Sequence, residues 1–122
     1  MKTIHFVHDQ QESPEPRRSA LEASGFHVEL FASGADCLAR LEEAPPALVL
    51  LDVLVEGPHG FDVCRSIREK HPAETLPVIL GSHVYRSRIY RDEATAAGAQ
   101  RYLLYPADTE DLAEIAFNHA NR

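Results

Sequence analysis

Two aspartates, Asp9 and Asp52, stand at the ends of short apolar runs, where their carboxylates could act together. The carboxyl ends of parallel strands meet at one edge of a sheet, so residues distant in sequence converge there. Two carboxylates at such an edge suit Mg²⁺, which takes one or two carboxylates together with waters and phosphate oxygens. A carboxylate beside that cation can attack a phosphoryl donor, and Asp52 is the candidate acceptor.

Ser82 follows another apolar run, residues 77–80, and its hydroxyl could donate a hydrogen bond to a phosphoryl oxygen on Asp52. The simpler interpretation is that Asp9 and Asp52 only end strands and cap turns. Either aspartate alone fits that interpretation equally well. The presence of both, each at the end of an apolar strand, favours a chemical site.

Short apolar runs alternate with longer segments of helical period, which is typical of βαβ units and a parallel sheet. The run 47–51 is apolar without alternation, which indicates a strand that is covered on both faces. Right-handed crossovers limit the topology, and we predict an α/β, flavodoxin-like (βα)5 fold with a doubly wound, five-stranded parallel sheet of order 2-1-3-4-5. The predicted strands are residues 4–7, 28–31, 47–51, 77–80 and 102–104.

Capping residues predict where several helices begin and end. Ser13 as N-cap and Pro14 in the first turn begin the first helix, which should end near Gly25. Ser33 and Asp108 are the expected N-caps of the second and fifth helices.

Length and charge limit the class of protein. The 122 residues suit one domain over residues 1–122. The formal net charge of −7 repels phosphate backbones, so we expect no nucleic-acid binding by this domain.

No run is apolar enough to cross a bilayer and the start is too charged for a signal peptide, so we expect a cytoplasmic protein without a membrane partner. Cys37 and Cys64 fall at apolar helix positions, which favours reduced, buried thiols.

Three segments together resemble the receiver domains of response regulators in two-component signalling. Residues 48–54, followed by Gly57 and Gly60, are similar to the phospho-acceptor strand and loop of those domains. Residues 76–82 are similar to their fourth strand with its switch Ser or Thr, and residues 98–106 to their fifth strand and its loop. The resemblance covers essentially the whole chain, and the combination is specific although each piece alone is weak.

The resemblance implies roles for individual residues. Asp52 would be the phosphorylated aspartate, and Asp9, Asp52 and the backbone carbonyl of Leu54 would bind the metal. Ser82 and Tyr102 would form a switch pair, in which the hydroxyl moves to the phosphoryl group and the aromatic ring follows inward. In the family this change remodels the surface around helix 4, strand 5 and helix 5.

Four pocket positions depart from the family pattern. His8 replaces an acidic residue, so Mg²⁺ affinity should fall. Tyr105 replaces the lysine before the strand-five proline; a neutral phenol lacks that charge, although its hydroxyl could donate a hydrogen bond. Glu56 replaces a common proline and adds negative charge, and His83 replaces a small residue and narrows access for a phosphoryl donor. A cis peptide between Tyr105 and Pro106 is the family's habit.

The three histidines His8, His59 and His83 could lie near the acidic pocket. Imidazole suits softer divalent metals such as Zn or Ni, so a different metal is one interpretation. Their spacing matches no metal motif, which favours ordinary loop roles instead.

Residues 85–91 are basic and aromatic within an acidic protein. They fall at the start of helix 4, on the face that receivers use for dimers and targets. Tyr and Arg are favoured as interface anchors, so Tyr85, Arg88, Tyr90 and Arg91 are candidate contacts to a protein partner. The alternative is a solvated helix face along which the long side chains lie.

Three functions fit these residues. The first is a conventional receiver, in which a histidine kinase phosphorylates Asp52 with the help of Mg²⁺. The second is an atypical receiver that acts through protein contacts, with phosphorylation weakened or absent. The third is a metal-dependent phosphohydrolase, but no second nucleophile–base pair or substrate loop is visible, so we expect no enzyme. The altered residues His8, Glu56 and Tyr105 favour the second function over the first.

The expected partners follow from the second function. They are a histidine kinase or a downstream effector, and a second copy of the chain through the face of helix 4, strand 5 and helix 5. Mg²⁺ is the one cofactor that the residues suggest, and we expect its binding to be weak.

Overall fold

The computed structural model of residues 1–121 contains a five-stranded parallel sheet of order β2-β1-β3-β4-β5. The predicted fold and strand order are therefore confirmed. The strands are β1 (Thr3–Val7), β2 (His27–Phe31), β3 (Leu48–Asp52), β4 (Val78–Ser82) and β5 (Arg101–Leu104). The helices are α1 (Glu15–Ala23), α2 (Gly34–Glu43), α3 (Gly60–Lys70), α4 (Arg88–Ala97) and α5 (Leu112–Ala120).

The sheet is buried on both faces. One face packs against α2, α3 and α4, and the other packs against α1 and α5. All five residues of β3 are buried, because neighbouring side chains of this strand enter opposite cores. This explains why the β3 sequence is apolar without alternation. Both cysteines are free and buried, as predicted.

Two predicted helix caps are wrong. The N-cap of α1 is Pro14, and the hydroxyl of Ser13 accepts a 3.3 Å hydrogen bond from the backbone N–H of Glu15 instead of capping the helix. Asp108 lies in a short 3-10 turn, where its carboxylate accepts a 2.7 Å hydrogen bond from the backbone N–H of Leu104. That turn delays the start of α5 to Leu112.

Other local features agree with the sequence. The hydroxyl of Ser33 caps α2 by accepting a hydrogen bond from the backbone N–H of Asp36. Gly98 follows α4 with a φ of 99°, a left-handed conformation that glycine adopts without strain. The Tyr105–Pro106 peptide is cis, and so is the Gly57–Pro58 peptide. In the described part of the chain, no helix has the length and apolar character needed to cross a membrane.

Candidate functional site

The carboxyl ends of three central strands bring the predicted site residues together. Asp52 is the last residue of β3, which lies between β1 and β4 in the sheet. Asp9 lies just beyond the end of β1, and its backbone N–H donates a 2.8 Å hydrogen bond to Oδ2 of Asp52. Ser82 ends β4 beside this pair. Asp9, Asp52 and Ser82 are all buried.

Arg17 is the site residue that sequence analysis missed. It lies in the first turns of α1, and its guanidinium donates two hydrogen bonds to the carboxylate of Asp52. The Nη1–Oδ1 distance is 2.6 Å and the Nη2–Oδ2 distance is 2.9 Å. Arg17 is 2% exposed and Asp52 is 1% exposed. The candidate acceptor is therefore one half of a buried, bidentate ion pair.

Two aromatic rings enclose the guanidinium of Arg17. Its Cζ lies 4.6 Å from the centroid of the Phe6 ring and 4.3 Å from the centroid of the Tyr105 ring. A guanidinium over a ring face is attracted by the ring quadrupole. Burial alone would lower the pKa of Arg17, but the hydrogen bonds and charge of Asp52 raise that pKa overall. Arg17 is thus a fixed cation in the pocket.

Tyr105 fills the space beside this cation. It is fully buried, and the burial raises the pKa of its hydroxyl. Among residues 1–121 the hydroxyl has no hydrogen-bond partner, so the hydrogen bond that a phenol could donate at this position is not formed. Gly81 makes room for the ring, since a Cβ at position 81 would lie 2.6 Å from Cε2 of Tyr105. The tyrosine and the glycine are therefore sterically matched.

The residues as arranged do not fit a Mg²⁺ site. Both oxygens of Asp52 accept hydrogen bonds from Arg17, whose charge already balances the carboxylate. Oδ1 of Asp9 accepts a 2.8 Å hydrogen bond from the backbone N–H of Gln11. A magnesium ion in a protein usually binds one or two carboxylates together with several waters. Leu54, the third expected ligand, lines an opening of about 400 Å³ together with Asp9.

The remaining altered positions lie around this pocket. His83 is half-buried, with Nε2 3.6 Å from the carboxylate of Glu12 and its ring 5.1 Å from the Tyr105 ring. Nδ1 of His8 lies 3.4 Å from the carbonyl oxygen of Asp9. The side chains of Glu56 and His59 are exposed. Throughout the described residues, no cluster of three or more His, Cys, Asp or Glu side chains could hold a metal ion.

The predicted switch residues both bond to the loop between β4 and α4, residues 83–87. The hydroxyl of Ser82 accepts hydrogen bonds from the backbone N–H groups of Val84 and Tyr85, at 2.9 and 3.0 Å. The buried Tyr102 donates a 2.5 Å hydrogen bond from its hydroxyl to the carbonyl oxygen of Tyr85, and burial raises its pKa to about 12. The two hydroxyls therefore hold one arrangement of this loop.

The predicted interface residues form two groups. Tyr85 and Tyr90 are half-buried and stack on each other, with ring centroids 4.4 Å apart and an angle of 12° between the ring planes. Arg88 and Arg91 are exposed at the start of α4. The loop that Ser82 and Tyr102 hold therefore leads directly into this surface.

Comparison with known proteins identifies the family to which the sequence is similar. Residues 4–117 match the family model of the response regulator receiver domain. The chain is 33% identical over 113 residues to the phosphate regulon transcriptional regulatory protein PhoB of Rhizobium meliloti strain 1021, covering 89% of this chain and 48% of that protein. It is 28% identical over 112 residues to the sensory transduction protein RegX3 of Mycolicibacterium smegmatis, covering 92% and 47%. The chain thus spans about half the length of the curated relatives it matches.

A solved structure shows the same architecture. The structure of a candidate response regulator from Chloroflexus aurantiacus J-10-fl superposes with a TM-score of 0.88 at 27% sequence identity. The superposition covers 99% of this chain and 98% of that chain. The likeness therefore extends over the whole sheet and its helices.

Proposed function

This chain belongs to the response regulator receiver domain family of two-component signalling, and we propose that it is an atypical receiver in which phosphorylation of Asp52 is weakened or absent. It acts through protein–protein contacts. The buried ion pair between Arg17 and Asp52 carries this proposal. Receivers interact with histidine kinases and effectors, and we propose partners of these two kinds for this domain.

The ion pair hinders Asp52 as a nucleophile. A carboxylate that attacks a phosphoryl donor needs negative charge on the attacking oxygen and a path for the donor. Both carboxylate oxygens of Asp52 instead accept charge-assisted hydrogen bonds from Arg17, which are stronger than neutral ones. The near-complete burial of Asp52 supports the same conclusion, because a donor has no open route to the oxygens.

The ion pair also competes with Mg²⁺. Receiver domains typically bind Mg²⁺ for phosphorylation. Here the cation beside Asp52 is Arg17, whose guanidinium also lies between the rings of Phe6 and Tyr105. An incoming ion would have to displace the Arg17 side chain, which is hydrogen-bonded to Asp52 and packed against two aromatic rings. We therefore propose that Mg²⁺ binds weakly or not at all.

The alternative function is a conventional receiver, which a histidine kinase phosphorylates on Asp52 with Mg²⁺. Two observations favour it: Asp9 lies against Asp52, and Asp9 and Leu54 line the same opening. In that case Asp9, Asp52 and the Leu54 carbonyl would bind the metal after Arg17 had moved away. We propose no turnover chemistry for either function, since the described residues of the pocket offer no second nucleophile–base pair.

We further propose that Ser82 and Tyr102 act as structural residues rather than as a switch. Their hydrogen bonds to the loop of residues 83–87 are complete without a phosphoryl group. The loop therefore presents Tyr85 and the start of α4 in one arrangement. A partner can recognise that surface without any change at Asp52.

Acetyl phosphate separates the two functions. We would incubate the wild type, Arg17→Met and Arg17→Met/Asp52→Asn with acetyl phosphate and Mg²⁺, and measure intact mass. We expect no phosphoryl adduct on the wild type, because Arg17 holds both oxygens of Asp52. We expect an adduct on Arg17→Met that is lost in the double variant.

The matched control is Arg18→Met, which removes the neighbouring arginine of the same helix. Arg18 is partly exposed and pairs with Glu22 rather than with Asp52. Circular dichroism would establish that each variant is folded. Phosphorylation of the wild type to the same extent as Arg17→Met would establish the conventional function instead.

A further inference from the structure

We propose that His5 is a proton-sensitive switch, which on acidification releases the edge strand β2 and helix α2 from the rest of the sheet. His5 lies in β1 and is 1% exposed, and the proposed function gives it no role. The parts of the switch are this buried imidazole, a carboxylate on β2 and a guanidinium on α2. The inference goes beyond the proposed function, because it holds whether or not Asp52 is phosphorylated.

A chain of ion pairs joins three elements of the fold at His5. Nε2 of His5 lies 3.0 Å from Oε2 of Glu29 in β2, and Oε1 of Glu29 lies 3.4 Å from Nε of Arg40 in α2. Arg40 also pairs with Glu43 of the same helix at 2.8 Å. On the other side of His5, β3 places the uncharged Val49 beside it in the sheet. In the described part of the chain, Glu29 and Arg40 are therefore the charged groups that act on the imidazole.

The surroundings of the His5 ring suit its neutral form. Nε2 faces a carboxylate, which assigns the one proton of the neutral ring to that nitrogen. Nδ1 is buried and has no hydrogen-bond partner among the described residues. A second proton would turn Nδ1 into a charged donor without an acceptor, which is a costly group to bury. Burial accordingly lowers the pKa of His5, although Glu29 acts in the opposite direction.

The protonated ring can reach water at the edge of the sheet. β2 is an edge strand, and its partner in the sheet is β1. The side chains of Glu29 and Arg40 are 31% and 40% exposed, so the outer end of the ion-pair chain is next to solvent. The ring of Phe31 in β2 packs against the ring of His5, with centroids 5.0 Å apart. Movement of the imidazole toward solvent therefore disturbs two side-chain contacts along β2.

The same movement extends to α2 and to a loop beyond it. Loss of the pair between Glu29 and Arg40 removes a contact that holds α2 against the sheet. At the start of α2, the backbone N–H of Gly34 donates a 3.2 Å hydrogen bond to the carbonyl oxygen of Glu56, in the loop between β3 and α3. Opening of β2 and α2 thus also changes the support of the loop that follows the candidate acceptor.

The direction of the response follows from proton linkage. A ring that becomes exposed has the usual histidine pKa of about 6.5, whereas the pKa of the buried ring is lower. Protons therefore bind the open form more tightly, and its population rises as the pH falls below about 6.5. One proton can change that population by at most about tenfold per pH unit. Above this range the ring is neutral in both forms, so the closed form is stable.

Amide hydrogen exchange tests whether this opening is local. Protection factors, corrected for the intrinsic effect of pH on exchange, would be compared at about pH 7.5 and about pH 5.5. In the wild type we expect the protection of residues 27–44 to fall by about threefold or more at the lower pH. The protection of residues 78–82, in the central strand β4, should change little.

Two variants and one titration connect the opening to His5. His5→Gln removes the titrating group, so its protection in residues 27–44 should not depend on pH. The matched control is His27→Gln, which removes an exposed histidine of β2 and should behave as the wild type. NMR titration of the wild-type imidazoles requires no substitution. We expect it to show a proton on Nε2 of His5 at neutral pH and a pKa below 6.5 for that ring.

Three results would overturn the proposal. The first is an acid response in His5→Gln that equals the response of the wild type. The second is an equal loss of protection in β4, since this would indicate global unfolding. The third is a His5 ring that titrates at or above the usual histidine pKa. Phosphorylation of the wild type by acetyl phosphate would contradict the proposed function and would leave all three measurements unchanged, so the two failures are distinguishable.

Discussion

Arg17 and Asp52 form two parallel hydrogen bonds of 2.6 and 2.9 Å while both side chains are buried. Removing two charges from water costs several kcal/mol per ion, which good geometry offsets. The pair is therefore a weak source of net stability but a strong constraint on its own members. Each charge requires the other to remain in the pocket.

Single substitutions in this pair should be costly, and the double substitution should not. We expect Arg17→Met and Asp52→Asn each to lower the free energy of unfolding by about 3–5 kcal/mol. The first substitution leaves the carboxylate of Asp52 buried without its cation, and the second leaves the guanidinium of Arg17 buried without its anion. Arg17→Met/Asp52→Asn should lose much less than the sum. Urea denaturation of the four proteins measures this coupling. Additive losses would show that the two side chains do not depend on each other.

Position 81 should not tolerate a methyl group. We expect Gly81→Ala to lower the free energy of unfolding by about 1–3 kcal/mol, because its Cβ would lie 2.6 Å from Cε2 of Tyr105. The control is Gly57→Ala, where an added Cβ has no neighbour within 4 Å and the expected change is within about 0.5 kcal/mol. Thermal or urea denaturation compares them. Equal stability of the two variants would mean that the ring of Tyr105 does not limit the size of the residue at position 81.

The hydroxyl of Tyr102 should restrain the loop that precedes α4. We expect Tyr102→Phe to lose about 0.5–1.5 kcal/mol of stability, since the hydrogen bond to the Tyr85 carbonyl is removed. Amide hydrogen exchange in residues 83–87 should become faster. Tyr90→Phe is the control, because the hydroxyl of Tyr90 bonds to no residue within 1–121. Unchanged exchange in Tyr102→Phe would show that other contacts hold the loop.

His5 should make stability depend on pH. It is buried, and this burial lowers its pKa below 6.5, although Glu29, 3.0 Å away, acts in the opposite direction. The unfolded chain therefore binds the proton more tightly, so the free energy of unfolding should fall as the pH drops below 6.5. We expect a smaller fall for His5→Gln, which does not titrate but can still donate to Glu29.

The comparison for this prediction is His27→Gln, at an exposed histidine of β2. Urea midpoints at neutral pH and at about pH 5 would be measured for both variants and the wild type. His27→Gln should follow the wild type. If acidification lowers the stability of His5→Gln as much as that of the wild type, the pH dependence comes from groups other than His5.

The sequence predicted the fold well because the relevant signals are local. The unbroken apolar run of β3 indicated a central strand, and it is buried at every position. Ser33 was expected to cap α2, and its hydroxyl accepts a hydrogen bond from the backbone N–H of Asp36. The cap at Asp108 was wrong because its carboxylate bonds to Leu104 in β5, a tertiary contact that the local pattern does not contain.

The pocket was predicted only in part. That Asp9 and Asp52 meet follows from topology, since parallel strands end at one edge. Arg17 was missed because it lies beside Arg18 in a helix with polar residues, and its burial depends on Phe6 and Tyr105 far along the chain. A signal was nevertheless present in the sequence. Because Tyr105 replaces the lysine of the family, a buried carboxylate at Asp52 required a cation from another residue.

The hydrogen bond from Arg86 to the Tyr105 carbonyl gives the domain a thermodynamic consequence. The ring of Tyr105 covers the guanidinium of Arg17, and the backbone carbonyl of Tyr105 accepts a hydrogen bond from Arg86. We infer that binding at Arg86 and the stability of the Arg17–Asp52 pair are coupled through Tyr105, and any such coupling is reciprocal. A ligand that takes the guanidinium of Arg86 would compete with the Tyr105 carbonyl, and a change in the packing around Arg17 would in turn alter the affinity for that ligand by the same factor.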